Sequence, residues 1–230
     1  MEIIPAIMPK SYEDLKNKIS LVRGLVSFTQ IDLCDGQFVK MVTWPFHDGD
    51  ERSLDNILNE REGLPFWEDI DFELDLMVAN AVDEFDTYVR MGPKRIIFHL
   101  EAMPDHEAFL QFLEGIDLYV RENIEMGLAI NTTTPIESLF PFVSKVDFVQ
   151  CMGIAQIGRQ AEPFDETVLD HIRTLREKFP ELVISVDGSV NLNTAPLLID
   201  AGADRLAVGS AIFTSTDIRE TLRQFESLVE

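Results

Sequence analysis

The chain has 230 residues, 46% hydrophobic and 26% charged, with a net charge of −22 at pH 7. That length supports one large core or two small ones, and the ordinary glycine and proline content argues against a fibrous or disordered chain. The charge argues against nucleic acid and anionic membranes as partners, and counts mildly against an anionic substrate unless a local basic group offsets it.

The N-terminus carries no basic region followed by an apolar core, and no apolar run approaches the ~18 residues of a membrane span. Cys34 and Cys151 form neither a metal spacing nor a disulfide framework. These features predict a soluble, cytoplasmic protein.

In chain order, residues 2–7 read as a strand. Ser11 caps a helix running to about Val22, with Asp14 completing an imperfect capping box. Val26–Leu33 reads as the second strand. Residues 41–69 are polar, with one short helix near Leu54–Asn59 and otherwise a long loop or lid. Phe72–Val78 is the third strand, followed by a helix over Val82–Met91. Arg95–Leu100 is the fourth strand, followed by a helix over His106–Leu113. Met126–Ile130 is the fifth strand, with a short helix over Pro135–Val143 after it. Val146–Cys151 is the sixth strand and Phe164–Lys178 a long amphipathic helix. Val183–Val186 and Arg205–Val208 are the last two strands, with helical spacing over Leu192–Ile199 between them and a closing helix over Ser215–Leu228.

Eight strands alternating with helices over residues 1–230 predict a single TIM (β/α)8 barrel domain, with an open doubly wound sheet as the alternative. Period-two alternation favours the barrel. Ile31 and Leu33 oppose Gln30, Asp32 and Cys34; Phe72, Leu74 and Leu76 oppose Glu73, Asp75 and Met77. Each strand thus sends large apolar groups toward helices and small or polar groups toward an interior. Asp32, Asp75, His99, Asn131, Met152 and Asp187 fall near C-terminal strand ends, where such barrels carry their chemistry.

The last two strands end in Asp187-Gly188-Ser189 and Gly209-Ser210. Such turns either cradle a phosphate with backbone N–H groups or are only tight turns; two in succession bring the readings level.

The chain resembles the ribulose-phosphate 3-epimerase family along nearly its whole length. The resemblance lies in Ile3-Ile4-Pro5-Ala6-Ile7-Met8-Pro9, Gln30-Ile31-Asp32-Leu33-Cys34-Asp35-Gly36-Gln37-Phe38-Val39 and Glu73-Leu74-Asp75-Leu76-Met77-Val78. It continues through Gly127-Leu128-Ala129-Ile130-Asn131-Thr132-Thr133-Thr134-Pro135, Val186–Asn191 and Val208–Phe213. The order and spacing of these fragments make the resemblance specific. It implies a barrel that epimerises a sugar phosphate at C3, with Asp32 and Asp187 as acid and base. It further implies a divalent metal held by Gln30, Asp32, Asp75 and Asp187, and a pocket lined by Met8, Cys34, Met77, His99, Asn131 and Met152. Phosphate would meet Gly158, Arg159, Gly188, Ser189, Gly209 and Ser210.

The departures are specific. Gln30 and Asp75 stand where the family has metal-binding histidines, Pro9 where it has a serine, and Arg159 where it has glycine. The loop Gln156-Ile157-Gly158-Arg159-Gln160 is one residue shorter than the family's, and 41–69 is longer. An oxygen-only donor set favours magnesium or manganese over zinc; alternatively the metal is lost, and clustered carboxylates then favour protonation of at least one.

Removing a proton from one face of a carbon beside a ketone and returning it on the other suits two carboxyl groups, although strand-end aspartates also cap turns. Strands two and seven are three steps apart around an eight-strand ring, so Asp32 and Asp187 should nearly face each other. Arg159 would either grip phosphate or be a solvated loop residue. His99 reads as a buried, hydrogen-bonded group. Two other functions stay open. One is a lyase or isomerase on the same scaffold, against which the lack of lysine in residues 73–78 counts; the other is a non-catalytic phosphosugar-binding barrel. Self-association is left open.

Overall fold

Alternation of polar and apolar residues along each strand is realised as a closed ring. The computed structural model describes residues 1–159 and 162–228. Its strands are β1 (Glu2–Ile7), β2 (Phe28–Cys34), β3 (Asp71–Met77), β4 (Arg95–His99), β5 (Glu125–Ile130), β6 (Phe148–Met152), β7 (Val183–Asp187) and β8 (Arg205–Val208). Each pairs in parallel with the next and β8 pairs with β1, giving the TIM barrel and not the open sheet.

The helices are α1 (Tyr12–Val22), α2 (Glu51–Leu58), α3 (Phe85–Arg90), α4 (His106–Gly115), α5 (Leu118–Asn123), α6 (Thr167–Lys178), α7 (Ala195–Ala201), α8 (Ser210–Phe213) and α9 (Ile218–Glu226). Ser11 caps α1 by accepting from Asp14 N, while the Asp14 carboxylate accepts from Lys10 N, one residue before the cap.

Several boundaries differ from the sequence expectation for local reasons. Residues 136–145 form a 3-10 segment, because Pro141 lacks the N–H an α-helix needs there. Helix α6 starts at Thr167, since Asp165 N bonds back to Gly153 O. Helix α7 starts at Ala195, since Asn191 Oδ1 accepts from Asn193 N and holds a turn. Helices α5 and α8 are additions that the sequence pattern does not announce.

The outward strand residues Ile31, Leu33, Leu74, Leu76, Phe98 and Leu128 are fully buried under the helices. Phe98 meets Phe109 and Phe112 edge-on at 5.5 and 5.8 Å. At the N-terminal end of the barrel, Arg95 binds Glu73 at 3.0 Å, Glu2 at 3.1 Å and Glu125 at 3.2 Å. Arg205 shares the Glu2 and Glu125 carboxylates. Charge thus plugs one end and leaves the other for chemistry.

Residues 41–69 are tied to the barrel at their start. Trp44 N bonds to Pro9 O, and Thr43 Oγ1 donates to Asp32 O while accepting from Cys34 N. Trp44 is fully buried, with its indole N–H on Ser53 Oγ at 2.8 Å. Ile57 and Leu64 are buried in the main core. Of the long loop or lid expected over 41–69, no residue lines the cavity at the strand ends.

Candidate active site

Strand register assembles the site. Asp32 on β2 sits beside Asp75 on β3, and Cys34 beside Met77. Met152 on β6 sits beside Asp187 on β7, which in turn faces Ala207 on β8. Strands β1 and β8 separate β2 from β7, and they offer only Ala6 and Ala207 to the cavity at that level. Two small side chains there let carboxylates from three strands converge. One oxygen from each of Asp32, Asp75 and Asp187 lies within 4.8 Å of the others.

Hydrogen bonds fix the cluster. Gln30 Nε2 donates to Asp32 Oδ1 at 2.7 Å and to Asp187 Oδ2 at 3.0 Å. His99 Nε2 donates to Asp75 Oδ1 at 2.8 Å, and Gln150 Nε2 to Asp75 Oδ2 at 3.3 Å. Ser185 Oγ holds Gln150 by donating to its amide oxygen. Gln30, Asp75, His99 and Gln150 are fully buried, and Asp32 is 5% exposed.

Burial dominates the electrostatics. It pushes Asp32 well above the usual carboxylate range, with Asp187 and then Asp75 adding repulsion. Asp187 is pushed up to about 7 by burial and by Asp75, against the opposing hydrogen bond from Gln30. For His99, burial lowers the pKa, but the adjacent Asp75 carboxylate outweighs it and the net shift is upward.

The donor set fits a hard cation. Three carboxylates converge with their charge only partly offset, and the buried Gln30 Oε1 has no partner. The buried aspartate triad can therefore hold a divalent metal.

A cavity of about 240 Å³ opens beside Asp32 and Asp187. Met8, Met77 and Met152 line it, together with Gly158, Arg159, Gly188, Ser189, Gly209 and Ser210. All six residues expected to meet phosphate are thus brought together. Gln160 of the same loop lies outside the described residues.

Glycine is needed at Gly188, where φ is +100° and an added Cβ would meet Ile154 Cγ1 at 2.8 Å. Ser189 adopts a left-handed φ of +52°. Its hydroxyl donates to the main-chain carbonyl of Glu162, tying the β7 turn to the β6 loop.

Three residues expected in the pocket do not line the cavity. Cys34 packs with Val39 and Met77, and burial raises its thiol pKa. His99 turns to Asp75, with Phe38 tilted over its ring at 5.7 Å. Asn131 shapes its own loop, accepting from Thr133 N and donating to Ala155 O. In turn, Glu162 lines the cavity unannounced by any sequence motif. Gln150 supports Asp75 from β6, a polar residue on the interior face that alternation alone could have flagged.

The chain is similar to solved barrels: 3-hexulose-6-phosphate synthase from Salmonella typhimurium (TM-score 0.68, 14% identity, covering 100% of this chain and 98% of that one). It is likewise similar to 3-keto-L-gulonate-6-phosphate decarboxylase from Vibrio cholerae (TM-score 0.67, 13% identity, 99% and 96%). At such identities the likeness speaks for the fold alone. Among curated proteins, ribulose-phosphate 3-epimerase of Schizosaccharomyces pombe is 26% identical over 223 residues, covering 96% of this chain and 90% of the relative. The Bacillus subtilis enzyme of the same name is 25% identical over 230 residues, covering 97% of each. The sequence model of the Ribulose-phosphate 3 epimerase family matches residues 2–213, and the chain belongs to that family.

Proposed function

We propose that the protein is a carbohydrate-phosphate epimerase that inverts C3 of a ketose phosphate, such as ribulose 5-phosphate or xylulose 5-phosphate, with Asp32 and Asp187 as the proton-transfer pair. One observation carries this reading. Asp32, buried, and Asp187, half-buried, both of raised pKa, line one cavity with Gly158, Arg159, Gly188, Ser189, Gly209 and Ser210.

Epimerisation takes a proton from one face of C3 and returns one to the other, through an enediolate. A sugar anchored by its phosphate at the glycine-rich turns would extend toward the aspartates. One carboxylate takes the C3 proton and the other, protonated, delivers one to the opposite face; the reverse reaction exchanges the roles. Mutual repulsion disfavours both being ionised, so near neutral pH the pair readily holds the one proton this needs. Gln30 orients both carboxylates by donating to each. Met8, Met77 and Met152 offer polarizable, water-excluding walls to the sugar.

Asp32, Asp75, Asp187 and Gln30 would hold the divalent cation, magnesium or manganese ahead of zinc, because every donor is oxygen. When bound, such a cation supplies Lewis-acid stabilisation of developing negative charge.

The test is incubation with ribulose 5-phosphate and magnesium or manganese, followed by NMR. Appearance of xylulose 5-phosphate is expected. No conversion of ribulose, xylulose or allulose phosphates with any divalent ion would overturn the reading.

A further inference from the structure

Glu162 places an acid where the proposed substrate carries its anion. It lines the same cavity as Gly188, Ser189, Gly209 and Ser210, and its main-chain carbonyl accepts from Ser189 Oγ. Its Oε1 lies 3.7 Å from Arg159 Nη1, the cationic group of that cavity. Arg159 is about half exposed while the Glu162 side chain is 22% exposed, so the carboxylate is the more enclosed partner.

We infer that Glu162 is a positioning residue that sets anion affinity, by competing with the substrate phosphate for Arg159. This rests on the phosphosugar reading above. Arg159 lines the cavity and already has a carboxylate beside its guanidinium. An incoming phosphate must break or share that pair, and it meets a like charge at short range. Both effects weaken binding. The backbone of the loop is held separately: the Glu162 main-chain carbonyl accepts from Ser189 Oγ, and that bond does not depend on the Glu162 side chain. Removing the carboxylate therefore leaves the loop anchored while releasing Arg159. In a chain of charge −22, such an internal counter-anion also keeps the single cavity arginine from being held by ambient anions.

The experiment is calorimetric titration of inorganic phosphate into the full-length wild type, Glu162→Gln, Glu162→Asp, Arg159→Gln and the Arg159→Gln/Glu162→Gln double variant, with melting temperatures as a folding check. Glu162→Gln should bind phosphate roughly 2- to 10-fold tighter, the range of a partly exposed ion pair plus lost repulsion. Glu162→Asp keeps the charge and should stay near wild type. In the Arg159→Gln background the gain from Glu162→Gln should shrink by at least half. Equal affinity of wild type and Glu162→Gln, or a full-size gain without Arg159, would overturn the inference while leaving the phosphate site standing. Failure of every variant to bind phosphate at millimolar concentration would overturn the phosphosugar reading and the inference with it.

Discussion

The side-chain amide of Gln30 donates to Asp187 across the barrel mouth at 3.0 Å, although the two residues are 157 positions apart in the chain. The same nitrogen donates to Asp32, so one amide holds together the two carboxyl groups assigned to proton transfer. Replacing it with an apolar side chain of similar size leaves the buried Asp32 and the half-buried Asp187 without this donor. Gln30→Leu should destabilise the fold by roughly 1–3 kcal/mol, the cost of unpaired buried polar groups. Urea denaturation with excess chelator checks this; an unchanged midpoint would show that the bridge contributes nothing.

The raised pKa of Asp187 has a definite consequence for stability. Its native value of about 7 lies above the 3.8 of the ordinary carboxyl group. Between those values the native state binds more protons than the unfolded chain, so this group's contribution falls as pH rises through that window. Many surface carboxylates act in the same range, and Asp187→Asn provides the reference that isolates it. With chelator present, the stability of wild type relative to Asp187→Asn should be higher at pH 5 than at pH 8. A flat or inverted difference would contradict the assigned shift.

The aspartate cluster predicts the response to metals. A cation that binds only the native state raises its stability. Magnesium or manganese should raise the melting temperature at pH 8 more than zinc does. Asp75→Asn should reduce that rise, since Asp75 belongs to the converging oxygens. Melting curves across a metal series measure both effects, and identical curves with every ion would speak for a metal-free protein.

Period-two alternation made the interior of the barrel readable. Asp32, Asp75 and Asp187 sit inward at strand ends because Ile31, Leu33, Leu74, Leu76 and Val186 take the helix-facing side. Gly158, Arg159, Gly188, Ser189, Gly209 and Ser210 line the cavity, the last four because they follow β7 and β8 directly and the first two as the family resemblance implied. A strand position gives a level in the barrel but not a line of sight. His99 and Cys34 lie at the right level, yet Asp75, Phe38 and Val39 take up their side chains. Glu162 was not readable, because an irregular loop has no period to say which way a side chain points. The tie of Thr43 and Trp44 to β1 and β2 was equally hidden, since it depends on contacts between distant backbone groups.

Glycine at 188 is a further point of test. Alanine there must hold φ near +100° and push against Ile154. Gly188→Ala should cost roughly 1–3 kcal/mol, as a strained backbone position does, and should weaken phosphate binding by displacing the β7 turn. Denaturation and phosphate titration on the same sample report the two effects. Retention of both stability and affinity would mean that the turn is not the fixed element described.

The most direct test of the account is deuterium wash-in at C3 of a ketose 5- or 6-phosphate, followed by NMR in heavy water with magnesium or manganese present. The account predicts exchange by the wild type. It predicts a loss of about 10²–10⁴-fold or more in Asp32→Asn and in Asp187→Asn, the usual contribution of a general acid or base. Full exchange in both variants, or none in the wild type with any of these sugars, would contradict it.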